Sequence, residues 1–393
     1  MSDDVTPPSS SPTVSLSVIA REWTRLGCIG FGGPPTHIVL LRRLCVEQHR
    51  WLDHQEFEDA IATTNLLPGP ASTQLAIYCA WKLRGARGAV VGGLGFICPG
   101  LFLIIGLSVV FLAKHPPVAL LGAAAGAGAA VPAVALNASR SLVPSSWARM
   151  ESTATHRFRW VLYASVGAVV AALFGEYLVI ALIACGASEV LVRRRGLTGS
   201  SHSSSAFAVV AIHSAAVGGI AALAWEALKV GALSYGGGFV IVPLMQHDAV
   251  VTYHWMSGPQ FLLAVALGQV TPGPVVQTVA VVGYAAAGIA GAFLAATLAF
   301  APSFAFILAG GSRFNTIRTK PSVEHFLTGA GPAVIGAIAG SAIPLGGSLH
   351  LYWQVPVLAG AALWLLLARR SVVGCLVIAG VIGTIVALAG VTV

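Results

Sequence analysis

Thirteen apolar runs occupy most of this chain, each close to the roughly 20 residues that a helix needs to cross a bilayer. A segment immersed in lipid has to satisfy its own backbone hydrogen bonds, so runs of this kind must be helical. The fold class that follows is an all-α polytopic membrane protein with about 13 transmembrane segments. A water-soluble enzyme is excluded by composition, because 56% of the 393 residues are hydrophobic and 9% are charged, against about 25% charged in a soluble domain. Disorder is excluded as well, since it needs low hydropathy and high charge density.

The runs cover residues 26–41, 57–81, 89–113, 118–138, 160–174, 177–192, 207–225, 230–246, 261–286, 288–310, 326–345, 353–368 and 372–391. Counting Lys and Arg in alternate loops gives sixteen on the side of the N-terminal tail and five on the other. Cytoplasmic loops carry the basic excess. The N-terminus is therefore expected in the cytoplasm and the C-terminus outside, in the cytoplasmic membrane. The same split favours two short crossings at 160–174 and 177–192 over one long one. The net charge of +8 belongs to these loops, so the partner it implies is the lipid bilayer and not a nucleic acid.

Residues 1–14 have neither a basic nor an apolar signal-peptide region, and 1–20 is expected to be a disordered cytoplasmic tail. The six cysteines stand singly in apolar surroundings without a CxxC pair. They read as packing residues, with no metal, cofactor or disulfide framework expected.

The chain also repeats itself. At a shift of 204, Gly27, Gly32, Gly33, Leu40, Trp51, Phe57, Pro68, Gly69 and Pro70 fall on Gly231, Gly236, Gly237, Leu244, Trp255, Phe261, Pro272, Gly273 and Pro274. With a one-residue slip, Gly85, Gly88 and Pro99 meet Gly288, Gly291 and Pro302. Two repeats are expected, at 21–195 and 229–393, joined by a linker and a linking helix within 196–228. One extra crossing after six reverses the second repeat. The expectation is thus two inverted-topology repeats with broken helices, the arrangement in which secondary transporters hold substrate between the repeats.

Two motifs recur in each half. Gly30-Phe31-Gly32-Gly33-Pro34-Pro35-Thr36-His37 is answered by Ser234-Tyr235-Gly236-Gly237-Gly238-Phe239, and Asn65 to Gln74, centred on Pro68-Gly69-Pro70, by Gln269 to Thr278, centred on Pro272-Gly273-Pro274. Pro-Gly-Pro removes backbone donors and must interrupt a helix. In lipid such a break is tolerated where it is buried in protein or lines a cavity. Pro70 and Pro274 suit the first turn of a new half-helix, leaving the N–H groups of Ala71, Ser72 and Thr73, and of Val275, Val276 and Gln277, facing an anion. Two helix N-termini supply roughly +1 charge together, and Arg25 or Lys229, repeat mates, would raise this to about +2. Thr36, His37, Asn65, Ser72, Thr73, Gln74, Gln269, Gln277 and Thr278 can add hydrogen bonds.

Each position has a bland reading too. Gly-Gly pairs pack helices closely, Arg25 and Lys229 can snorkel to an interface, and His37 is either a ligand contact or a hydrogen-bonded packing residue. Arg84 and Arg87 read as loop anchors. Glu58, Asp59, Glu176, Glu189 and Glu226 lie at segment ends, where a solvated carboxylate is the default. The small-residue run 122–130 packs helices either within the chain or between protomers.

In these residues the chain resembles the chromate transporter family in its long, two-domain form. The Phe-Gly-Gly-Pro-x-x-His motif maps onto Phe31, Gly32, Gly33, Pro34 and His37, with the basic pair Arg42 and Arg43 after it. Arg-Trp-Leu-Asp maps onto Arg50 to Asp53, and Leu-Pro-Gly-Pro-x-x-x-Gln onto Leu67, Pro68, Gly69, Pro70 and Gln74. The glycine triplet of the second half is Gly236, Gly237 and Gly238. Two departures stand out: the family often has Gln where this chain has Asn65, and its second half often has an acidic residue where this chain reads His247-Asp248. The resemblance implies export of chromate, a tetrahedral dianion, and resistance to it.

The expected function is thus a secondary transporter exporting chromate by alternating access. The alternative is a transporter or exchanger of sulfate or a related oxyanion. An enzyme is disfavoured, because no His-Glu-x-x-His or comparable catalytic spacing is present. Proton coupling and a homodimer stay open at this point.

Overall fold

The computed structural model describes residues 14–64, 67, 69–148, 153–197, 219–234, 238–239, 241–310 and 321–393; of the tail expected at 1–20, residues 1–13 lie outside them, while Leu16 to Ala20 already belong to a helix, a correction to that boundary. Among the described residues there are fourteen α-helices and no strand. The first half opens with α1 (Leu16–Ile29) and α2 (Pro34–Arg42), which runs into a π turn at Arg43–Gln48. The second opens with α8 (Ile220–Leu233) and α9 (Ile241–Gln246), followed by a π turn at His247–Thr252. After each π turn one residue adopts the left-handed region, Arg50 and His254, both at φ 51°. The shift of 204 thus relates the backbones as well as the letters.

Two expected crossings are corrected here. Runs 26–41 and 230–246 are each interrupted, because Gly32 and Gly33 have φ of 99° and 76° and Gly238 has φ of 87°. Those values suit glycine and end a helix. Of the expected linking helix at 207–225, residues 207–218 lie outside the described residues, and the described end begins α8, the repeat mate of α1.

Next come α3 (His54–Thr64) and α4 (Ala71–Phe111), matched by α10 (Gly258–Val270) and α11 (Thr278–Gly310), the latter preceded by a 3-10 turn at Val275–Gln277. Runs 57–81 and 261–286 therefore divide at their Pro-Gly-Pro, as expected. Each long helix also reverses, at Arg84-Gly85 and at Ala287-Gly288, where Gly85 and Gly288 have φ of 57° and 64°. The two arms fold back on each other, with Gly88 and Gly92 against Ala80, and Gly283 against Gly291.

The first half finishes with α5 (Val118–Ala148), α6 (Ala154–Leu173) and α7 (Leu178–Leu197), and the second with α12 (Pro321–Gly347), α13 (Gln354–Ala362) and α14 (Val372–Leu388). Residues 160–192 are thus two helices. Their packing crosses the repeats: α5 lies against α10, α13 and α14, while α12 lies against α6 and α7. Glycines make the close approach. A β-carbon on Gly122 or Gly126 would overlap the carbonyls of Gly383 and Ala379, and one on Gly167 or Gly336 those of Ala333 and Ala164. The small-residue run that begins at Gly122 therefore packs within the chain.

Among the described residues, five helical stretches are long and apolar enough to cross a membrane, two of them being the reversing α4 and the Val275–Gly310 stretch. Outward-facing apolar side chains are abundant: Phe102, Phe158, Leu173 and Ile343 are exposed, and α14 exposes Val377, Val381 and Ile385. Water disfavours a surface of this kind and lipid accepts it. The protein is a multi-pass helical membrane protein.

Candidate functional site: a buried junction of broken helices

The breaks of the two halves meet. Gly273 N–H donates to the Gly30 carbonyl across 2.9 Å, and the same carbonyl accepts from His37 Nε2, also at 2.9 Å. A carbonyl can only accept, so Nε2 carries the ring proton. In the neutral ring Nδ1 then accepts from the Ser72 hydroxyl, 3.1 Å away. His37 is buried and meets Phe96 edge-on, with ring centroids 5.0 Å apart. Of its two readings, the geometry is that of a hydrogen-bonded packing residue, since both nitrogens are engaged.

Beyond Pro70, α4 starts with no side-chain cap, leaving the N–H groups of Ala71, Ser72 and Thr73 without intrahelical acceptors. The second half differs. Gln277 N–H donates to Pro274 O at 2.9 Å in the 3-10 turn, so Val275 and Val276, and not Gln277 as expected, keep free N–H groups there. Thr278 Oγ1 donates to the Val275 carbonyl at 2.8 Å, which turns that hydroxyl onto its own helix.

Each Pro-Gly-Pro is covered by the outgoing arm of the opposite half. Gln277 Nε2 donates to Ile97 O of α4 at 2.8 Å, and a β-carbon on Gly100 would overlap the Pro272 carbonyl. Conversely, a β-carbon on Gly69, whose φ is 124°, would lie 3.2 Å from Ser303 Oγ of α11 and overlap Gln74 Nε2. Gly238 faces Val275 and Val276, and Gly33 comes within 3.8 Å of Val275 by the same measure. Gly32 and Thr36 lie together on the more exposed side of the first break, next to Pro34. Asn65, Pro68, Gly236 and Gly237 lie outside the described residues.

Several buried polar atoms here have no hydrogen-bond partner: Thr73 Oγ1, Ser234 Oγ, Gln269 Nε2, Gln277 Oε1 and Ser303 Oγ. Leaving such an atom unsatisfied costs about 1–3 kcal/mol, and here five gather on the two breaks. Ser234 and Ser303 were not among the sequence candidates. Their signal was present nonetheless, because Ser234 is the repeat mate of Gly30 and Ser303 follows Pro302, the mate of Pro99.

The two candidate cations already face carboxylates. The Arg25 side chain is 67% exposed and 3.9 Å from Glu22, in a surface groove with Arg43 and Gln48. Lys229 Nζ pairs with Glu226 Oε2 at 2.5 Å and with Asp248, so its charge is already compensated. The expected +2 therefore reduces to the helix termini. Glu189 and Glu226, expected to be solvated, are both fully buried. Glu189 is held by Arg159 and Arg193 at 3.3 and 2.8 Å, and Glu176 is exposed as expected.

A multi-pass helical protein with broken helices meeting at a buried polar junction has the architecture of a membrane transporter. The chain belongs to the chromate transporter family, which it matches twice, over residues 18–190 and 221–391. It is 29% identical to a chromate transport protein of Cupriavidus metallidurans, over 94% of this chain and 92% of the relative. It is 28% identical to a probable chromate transport protein of Synechococcus elongatus, covering 86% and 87% of the two chains. A chromate transport protein of Pseudomonas aeruginosa is likewise 28% identical, with 87% and 84% covered. No solved structure matches the chain.

Proposed function

We propose that the protein is a secondary transporter that exports chromate across the cytoplasmic membrane by alternating access and thereby gives chromate resistance. The observation that carries this reading is the buried junction, where two uncapped helix N-termini and a set of orphaned polar atoms come from opposite halves of the chain. Helix N-termini favour anions, and the curated relatives carry chromate transport in their names. The substrate site we infer comprises the peptide groups around Gly69-Pro70 and Gly273-Pro274, with Thr73, Gln269 and the second Nε2 proton of Gln277, the first being given to Ile97 O. The topology that suits it is a pair of inverted repeats, about thirteen crossings in all, with the N-terminus in the cytoplasm and the C-terminus outside.

Energetics favour outward movement. Carrying a dianion out of an inside-negative cell is assisted by about 4.6 kcal/mol per 100 mV, which supports roughly a thousandfold gradient without an obligatory coupling ion. The test is accumulation of radiolabelled chromate in everted membrane vesicles, with sulfate as competitor and the potential collapsed in parallel. Potential-dependent accumulation that resists sulfate supports chromate export. Accumulation abolished by equimolar sulfate moves the assignment to another oxyanion.

A further inference from the structure

The two half-sites are related by the repeat but are not equal, and the difference lies in one residue of each outgoing arm. Ser303 of α11 covers the first break and Gly100 of α4 covers the second; they follow the repeat-mate prolines Pro302 and Pro99. At Gly100 the space is closed, since a β-carbon there would overlap the Pro272 carbonyl and lie 2.5 Å from Gln277 Oε1. On the other side Ser303 is fully buried, its hydroxyl has no partner, and it lies by Gly69 at the uncapped start of α4. Thr73 Oγ1, also fully buried and unpartnered, sits on the first turn of the same helix. Three other buried serines of the long helices satisfy themselves on backbone carbonyls: Ser108 on Ile104, Ser139 on Ile335 and Ser341 on Ile338. Ser303 departs from that habit beside the uncapped start of α4.

We propose that Ser303 is a substrate-contacting residue, donating its hydroxyl to a tetrahedral oxyanion held at the N-terminus of α4, and that this first half-site is the one that takes the anion. This deepens the transport reading and rests on it. A tetrahedral dianion offers acceptors in all directions, so one oxygen can take the peptide N–H groups of the first half while another takes the hydroxyl of the second. The bound ion then bridges the two halves, and one anion is held per chain.

The test is equilibrium dialysis of radiolabelled chromate and of radiolabelled sulfate against the purified full-length protein in detergent, with folding checked by thermal unfolding. The expected result is a stoichiometry near one, with Ser303→Ala weakening binding about tenfold, the loss of one hydrogen bond to a charged group, and Ser108→Ala leaving it unchanged. A second readout does not depend on the alanine variant: in Ser303→Cys, sulfate raised to the concentration at which it displaces chromate from the wild-type protein slows maleimide labelling of the introduced thiol, read by peptide mass spectrometry. Unaltered affinity in Ser303→Ala, or labelling indifferent to sulfate at that displacing concentration, overturns the assignment, as does wild-type protein that binds neither anion. Wild-type protein that binds the anion yet moves none in vesicles sinks the transport reading and leaves the Ser303 contact standing.

Discussion

Gly30 and Gly273 belong to different repeats, yet the N–H of one and the carbonyl of the other are joined at 2.9 Å. That bond ties the Gly-Gly break of the first half to the Pro-Gly-Pro of the second, and His37 shares the same carbonyl while reaching Ser72 with its other nitrogen. One imidazole thus holds three breaks in register.

Replacing His37 with alanine removes a donor from Gly30 and the acceptor from Ser72, and opens a gap beside Phe96. The loss expected is about 1–3 kcal/mol for the abandoned polar groups, together with reduced transport. Thermal unfolding in detergent and vesicle uptake measure the two effects, and a variant with wild-type values for both would remove His37 from its linking role.

Lys229 pairs with both Glu226 and Asp248 in an interior where an uncompensated charge is expensive. Breaking a buried ion pair by deleting one partner costs about 3–5 kcal/mol, whereas removing both charges together is often tolerated. Lys229→Met is therefore expected to lose most of its folded yield, and the Lys229→Met, Glu226→Gln double variant to recover part of it. Fluorescence-detected size-exclusion chromatography compares them, and equal yields from the single and double variants would argue against charge compensation.

Gly336 and Gly346 both lie on α12 but meet different surroundings. A methyl on Gly336 would overlap the Ala164 carbonyl of α6, while one on Gly346 meets no atom within 4 Å. Gly336→Ala is expected to destabilise by about 1–3 kcal/mol through overpacking, and Gly346→Ala to stay within about 0.5 kcal/mol of wild type. The thermal midpoints of the two variants check the difference.

Arg25, exposed in its groove with Arg43, is placed to attract anions and not to hold them. Arg25→Gln should leave the unfolding midpoint unchanged and slow uptake at low ionic strength, with the difference fading as salt is raised and the Debye length shrinks to about 8 Å. A deficit that persists undiminished in high salt would instead put Arg25 in direct contact with substrate.

Much of this architecture is visible in the amino-acid order, because broken helices leave chemical marks. Proline and glycine at fixed spacing announce both Pro-Gly-Pro breaks, and the repeat at 204 predicts that the segments before Arg50 and His254 share one conformation, which the structure shows to be a π turn in each. Hydropathy failed where it is blind to backbone conformation. It fused residues 26–41 into one crossing, since Gly32 and Gly33 look apolar to it although their φ values end the helix. Glu226 and Glu189 were assigned to solvent because they close apolar runs. Their burial depends on Lys229, Asp248, Arg159 and Arg193, partners that arrive through tertiary packing. Ser303 was missed for a related reason: a lone serine in an apolar helix usually bonds its own backbone, and the Gly69 it faces lies more than two hundred residues away in sequence.

The crossed packing of α5 and α12 bears on how the protein is assembled. As the chain leaves the ribosome, α5 is made long before the helices that receive its glycine face, and the last of these, the 17-residue α14 beginning at Val372, follows far behind it. Until then Gly122 and Gly126 lack the Gly383 and Ala379 carbonyls they pack against. Completion of the first half therefore waits on the final turns of the second, and a premature stop before Val372 damages helices that were synthesised and inserted hundreds of residues earlier.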